Sequence, residues 1–203
     1  MENTGIHRAK TWQMALFALN NTSTNLWLVL LNFVAYYLTG YVGVAVVMAT
    51  SVMTFMRIWD AITDPIVGYI VDKTDGKFGK NRPFMAAGNI VLLITTFLMF
   101  FTTHHLPEQF RFIYFLVIYL IYIIGYTLQT VVTKSAQSCL TNDPKQRPTF
   151  GIYDGIYNAT LFALVPGFVA QHLVPKYGGF TAELFQELWI YIAPVTVIFT
   201  WLA

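Results

Sequence analysis

Six stretches of this chain are each long and apolar enough to cross a bilayer, and that repetition excludes a soluble fold before any single residue is read. They lie near Trp12–Leu38, Tyr41–Val71, Pro83–Thr103, Phe110–Leu140, Phe150–Leu173 and Leu188–Ala203. Helix must cover about 30 Å of hydrocarbon, which takes ~20 residues. No other open backbone satisfies its own N–H and C=O groups in lipid. Several runs exceed the minimum, so tilt or extension past the hydrocarbon is expected. Of the 203 residues, 56% are hydrophobic and 11% charged, against about 25% charged in soluble domains. The expectation is an all-α membrane protein of six transmembrane helices, multi-pass in the cell membrane with lipid as its surrounding solvent. The first run far exceeds the ~7–15-residue core of a cleavable signal, so it is read as a retained helix.

Basic residues set the orientation. Arg8 and Lys10 precede the first run; Lys73, Lys77, Lys80 and Arg82 separate the second from the third; Lys145 and Arg147 separate the fourth from the fifth. The other side has Arg111 and Lys176 near span ends. The positive-inside rule therefore puts the N-terminus in the cytoplasm. A net charge of +2 gives no basis for a nucleic-acid partner, and the single cysteine, Cys139, excludes an internal disulfide. The last run reaches Ala203 without a basic flank, which predicts an N-terminal bundle, residues 1–203, cut within helix six, its C-terminal bundle absent. A complete six-span protein is the alternative.

Charge inside the spans is the chemical signal. In Arg57-Ile-Trp-Asp60-Ala-Ile-Thr-Asp64-Pro65 the helical period stacks Arg57, Asp60 and Asp64 on one stripe with Thr63 beside it. A carboxylate at that depth carries a penalty of roughly 2.5–3.5 kcal/mol. A pair at i and i+4 therefore calls for a cation, a partner base or bound protons. Two carboxylates and a hydroxyl suit Na⁺ or Li⁺, and a pair sharing one proton would serve H⁺. The alternative is an intrahelical Arg57–Asp60 ion pair with Asp64 bonded to backbone or water. Pro65 removes a donor and frees a carbonyl near Ala61, which marks either a kink or a further oxygen ligand.

Downstream, Gly68, Asp72, Lys73, Gly76, Gly79, Arg82 and Pro83 are spaced so that small residues permit close approach while the acid and bases bridge neighbouring helix ends. Arg-Ile-Trp-Asp-Ala-x-x-Asp-Pro-Ile-x-Gly followed by a Gly-Lys-x-x-Pro turn resembles the glycoside-pentoside-hexuronide:cation symporters, the melibiose permease group of the major facilitator superfamily. The resemblance is strong over residues 57–83 and colinear across the six spans. It implies the N-terminal half of a twelve-helix transporter that moves a sugar, glycoside or hexuronide with Na⁺, Li⁺ or H⁺ by alternating access. On that resemblance Asp60 and Asp64 are the cation-site carboxylates, Thr63 a neighbouring ligand, and Gly68–Pro83 the cytoplasmic gate, with Gly68, Asp72, Lys73, Gly76, Arg82 and Pro83 its key positions. It implies no cofactor, no metal beyond the coupling cation, and a missing six-helix half or a second half-chain as partner.

The sugar side departs from the melibiose pattern. Where that permease has aspartates on its first and fourth helices, this chain has Thr24 or a neighbour and Val132, and Gly155 or Asp154 stands near the place of an arginine on the fifth. Gln129 falls at a threonine near the family's cation site. The residues themselves offer Asn21, Thr24 and Asn25 on the first span, Tyr122 and Tyr126 within a face Tyr119, Tyr122, Tyr126, Gln129 and Thr133 on the fourth, and Lys134 for an acidic sugar. Interhelical amide bonding is the alternative for the asparagines, helix packing for the tyrosines. Lys134 is also placed to pair with Asp154, to neutralise Asp64, or to snorkel to the interface. His104 and His105 alone make no metal site. No nucleophile triad, phosphate loop or metalloenzyme spacing occurs, so the chain is not read as an enzyme. The competing class is a non-transporting membrane module or an inactive truncated product.

Overall fold

In a computed structural model, which describes residues 7–74 and 79–203, the chain is a bundle of six long helices. Helix α1 (Thr11–Asn32) is interrupted at Phe33 and continues through Val34–Tyr37 and a π turn, Leu38–Val42. It stops at Gly43, whose φ of 79° is open to glycine at no steric penalty; the next amide, Val44 N–H, then reaches back to Leu38 O at 3.2 Å. Helix α2 (Val46–Lys73) runs unbroken through Pro65. Helix α3 (Arg82–Phe101) has Pro83 in its first turn, where a missing N–H is harmless, and α4 (Glu108–Leu140) follows Pro107. Helix α5 (Arg147–Phe168) contains Pro166 and passes into a second π turn, Val169–Leu173, and a last turn, Val174–Tyr177.

Helix α6 (Ala182–Leu202) begins six residues before the hydropathic run that starts at Leu188. Glu183, Gln186 and Glu187 hide that first turn from a hydropathy reading, yet all three are good helix formers. Thr181 caps it by accepting the Leu184 N–H at 3.3 Å. Five of the described helices are long and apolar enough to cross a membrane. The remaining one, α5, is of similar length but carries Arg147, Asp154 and Asn158.

Helix α1 lies at the centre, against α5, α6 and α4; α2 packs on α4, and α3 on α4 and α6. Helices α3 and α4 approach closely where Gly88 and Gly125 face each other. A Cβ on Gly125 would stand 2.7 Å from Val91 Cγ1, so the two backbones meet only because no side chain intervenes. Around Trp27, Tyr37, Phe100, Phe115 and Phe185 the interior is an aromatic core, with Phe100 and Phe185 stacked at 5.2 Å. A polar seam joins α1, α3 and α6: Asn89 Nδ2 donates to Thr200 Oγ1 at 2.9 Å, and the Ser23 and Thr200 hydroxyls meet at 2.8 Å.

At the end that holds both chain start and α4–α5 loop, residues 7–9 are strapped to that loop. Arg8 Nε meets Asp143 Oδ2 at 2.7 Å, the Ala9 amide donates to Gln146 Oε1 at 2.9 Å, and Thr141 Oγ1 donates to His7 O at 2.9 Å. Opposite, Lys176, Tyr177 and Tyr191 all donate to Glu187 and tie the end of α5 to α6. Much of α2 is left bare: Ile58, Ile62, Ile66 and Tyr69 are exposed on one side of it, as Ile152, Ile156 and Leu164 are on α5.

Candidate cation site and open polar face

Residues on α2 and α4 build the site. Asp60 and Asp64 are half-buried and Thr63 is buried at 6% exposure, on the side of α2 that packs on α4. Thr127 of α4, fully buried, donates from Oγ1 to Asp60 Oδ1 at 3.2 Å, and its hydroxyl lies 3.1 Å from that of Thr63. Thr63 Oγ1 in turn donates to Asp60 O at 3.0 Å. Carboxylate and hydroxyl oxygens thus gather at one α2–α4 contact, a set of hard ligands that fits a small monovalent cation or a proton.

The described ion pairs are Arg8–Asp143, Lys80–Asp72 and Lys176–Glu187, so Arg57 is not paired with Asp60. Its side chain is exposed and lines, with Leu28, Leu31, Met56, Tyr119, Tyr122 and Tyr126, a small, half-open pocket between α1, α2 and α4. Tyr119 and Tyr122 are buried and Tyr126 is half-buried, its ring 6.3 Å from that of Tyr122.

Gln129 is turned elsewhere. Its Nε2 donates to Met85 O on α3 at 2.8 Å and the residue is fully buried. Two positions separate it from Thr127, which is ~200° around a helix. The α4 side chain that meets Asp60 is therefore Thr127, which the sequence reading passed over. Thr133 likewise faces inward and accepts from Asn20 Nδ2 at 2.7 Å, so the predicted α4 face divides between a pocket and a closed helix interface.

On α1, Asn25 Nδ2 donates to Asn158 Oδ1 on α5 at 2.8 Å, and Asn21 lies beside Asp154, whose buried Oδ1 has no hydrogen-bond partner. Thr24 is buried and donates to Asn20 O at 3.1 Å, so it is not on the half-open side that Asn21 and Asn25 share. Lys134 is exposed, and the described ion pairs do not join it to Asp154, one of the alternatives the sequence left open.

In the α2–α3 segment Asp72 Oδ1 holds Lys80 Nζ at 2.5 Å, and Lys73 Nζ lies 4.9 Å over the Tyr69 ring. Arg82 and Pro83 are exposed in the first turn of α3, and Gly68 has open space where a side chain would be. Gly76 and Lys77 lie outside the described residues. The His104 and His105 rings are 4.0 Å apart, and Cys139 is exposed.

The family described as MFS/sugar transport protein matches residues 20–203. The chain belongs to that family. It is a multi-pass membrane protein of a transporter family and not an enzyme. Among its relatives, the putative glycoside/cation symporter YagG of Escherichia coli is 31% identical over 121 residues, which covers 60% of this chain and 26% of that protein. The glucuronide carrier protein homolog of Escherichia coli is 27% identical over 130 residues, 64% of this chain and 28% of the relative. The lactose permease of Leuconostoc lactis is 27% identical over 158 residues, 76% and 21% of the two chains. The matching segment thus spans about a quarter of the length of such relatives.

Proposed function

We propose that this chain is the N-terminal six-helix half of a cation-coupled sugar symporter, with its N-terminus in the cytoplasm. The observation that carries the reading is the half-buried Asp60–Asp64 pair, without a basic partner among the described residues and beside the Thr63 and Thr127 hydroxyls. Na⁺, Li⁺ or H⁺ bound there offsets the repulsion of two carboxylates one turn apart and draws α2 toward α4. The sugar is taken up on the neighbouring face of α1 and α4, at Asn21, Asn25, Tyr122 and Tyr126, and the shared α2–α4 contact couples the two ligands. Lys134, exposed on α4, gives a counter-charge for the carboxylate of a hexuronide. The Asp72–Lys80 bridge, with Lys73, Arg82 and Pro83, forms the gate between α2 and α3. A second six-helix bundle covers the bare faces of α2 and α5, and alternating access is the rocking of one bundle on the other.

Uptake of radiolabelled glycosides and hexuronides by the complete transporter tests this. Asp60→Cys and Asp64→Cys should each abolish stimulation by Na⁺, Li⁺ or an inward proton gradient while the protein still reaches the membrane. Stimulation equal to that of the unsubstituted transporter in either variant refutes the assignment.

A further inference from the structure

Asp154 is a carboxylate within the helix bundle that no described residue neutralises. It is half-buried on α5 beside Asn21 of α1, and none of the described ion pairs includes it. Its Oδ1 is buried and has no hydrogen-bond partner among the described residues. One turn further along both helices the polar side chains do meet, Asn25 and Asn158 at 2.8 Å. The α1–α5 contact is thus satisfied at one level and left incomplete at the next. Asn21 lies ~15 Å along α1 from its first residue, so the incomplete level is well inside the span.

An ionised carboxylate at such depth persists where a cation, a proton or hydrogen-bond donors meet it. Helix α1, which packs on α5 here, brings the neutral Asn21 and Asn25, while Arg57 and Lys134 stand exposed on α2 and α4. Asp154 is half-open, so donors reach it from whatever occupies the open face. On α1 that face continues from Asn21 through Asn25 to Leu28, all half-buried, and Leu28 shares a pocket with Tyr122 and Tyr126. The carboxylate therefore stands at one edge of the surface on which the sugar is read to bind. Its two oxygens only accept, and a sugar ring presents hydroxyl donors on adjacent carbons, so one carboxylate matches two neighbouring hydroxyls. A substrate carboxylate would be repelled at the same place.

We propose that Asp154 is a direct sugar ligand, its carboxylate accepting hydrogen bonds from adjacent hydroxyl groups of the substrate at the α1–α5 edge of the open face. The inference rests on the sugar-symport reading above and adds α5 to the binding surface. It also orients an acidic substrate, with its hydroxyl edge at Asp154 and its carboxylate toward Lys134.

The test is uptake by the complete transporter at saturating cation, normalised to the amount of protein in the membrane. Methyl β-D-glucoside, methyl β-D-galactoside and methyl β-D-glucuronide are the probes, and the one taken up fastest is compared with its monodeoxy forms. Asp154→Asn keeps one acceptor oxygen but loses the charge, and should raise the sugar KM about tenfold, or ~1.4 kcal/mol. Asp154→Ala should raise it about 30-fold. The cation half-saturation should not move in either variant. In the unsubstituted transporter, removal of one of the two bonded hydroxyls should raise KM about tenfold. In Asp154→Ala the same removal should change KM by no more than about 2-fold, because the bond is already gone. A KM unchanged in both variants overturns the ligand role, as do deoxy penalties that persist at full size in Asp154→Ala. A shifted pH profile of uptake with those penalties intact overturns it in favour of a proton carried on Asp154. Absence of uptake of all three probes by the unsubstituted transporter instead overturns the symport reading, and this inference with it.

Discussion

The contact between α3 and α4 makes a sharp prediction for Gly125→Ala. An added Cβ would stand 2.7 Å from Val91 Cγ1, 3.0 Å from Val91 Cβ and 3.3 Å from Gly88 O. Valine in a helix is confined to essentially one χ1 rotamer, so Val91 cannot swing aside, and the helices must part. Overpacking of this kind destabilises by ~1–3 kcal/mol, and a contact against a locked side chain and a backbone oxygen falls at the upper end. The intrinsic helix preference of alanine over glycine offsets ~1 kcal/mol. The net expectation is a loss of about 2 kcal/mol. The double variant isolates the cause, because Val91→Ala removes Cγ1. In that background the Gly125→Ala penalty should fall by about half, because the Cβ at position 91 and Gly88 O remain at 3.0 and 3.3 Å, a coupling of ~1 kcal/mol between the two sites. Reversible unfolding of the purified chain in mixed micelles, titrated with denaturing detergent, measures all four corners of the cycle. A Gly125→Ala penalty that persists at full size in the Val91→Ala background would refute the argument, because the clash with Val91 would then not be its origin.

Three further outcomes follow from named contacts. Thr127→Val is nearly isosteric and leaves Thr63 its bond to Asp60 O, but it removes a hydroxyl from the site and the donor to Asp60 Oδ1. A hydrogen bond to a charged acceptor contributes ~1.5 kcal/mol or more, so the cation half-saturation for uptake should rise about tenfold, with Thr127→Ser close to the unsubstituted value. An unchanged half-saturation in Thr127→Val would remove Thr127 from the site. The Asp143 carboxyl is held below its ordinary value of 3.8, first by the Lys145 amide and then by Arg8. A depressed acid stabilises the fold above its unfolded value and loses that contribution as pH falls through the folded one. Hydrogen-exchange protection of residues 7–9, corrected for intrinsic rate, should stay level from neutral pH to about pH 4 and fall below that; loss near pH 6 would show that another group holds the strap. Asp143→Asn should weaken that protection at neutral pH.

What the sequence made legible follows the physics of each signal. The six spans depend on a sum over ~20 residues, and they were readable because lipid allows so few alternatives to helix. The ends were less so: α6 begins earlier than its apolar run because Glu183, Gln186 and Glu187 form helix despite their polarity. The carboxylate pair on α2 was visible as a local pattern one turn long. Its partner was not, because Thr127 has the same composition signal as any other threonine of α4, and only the rotation of α4 against α2 singles it out over Gln129. The same holds for Asn158, whose bond to Asn25 depends on which face α5 turns to α1.

By itself the sequence determined the all-α membrane architecture, the Asp60–Asp64 stripe and the likeness to sugar–cation symporters, all consequences of periodicity and of residue type along a single helix. Tertiary structure decided which side chains from different helices share a site: Thr127 with Asp60, Asn158 with Asn25, Arg57 with the tyrosines of α4. The physical reason is that hydropathy places a helix in the membrane without setting its rotation. Rotation is set by close packing, here at Gly88 and Gly125, and by interhelical hydrogen bonds whose two halves lie more than 60 positions apart in the chain.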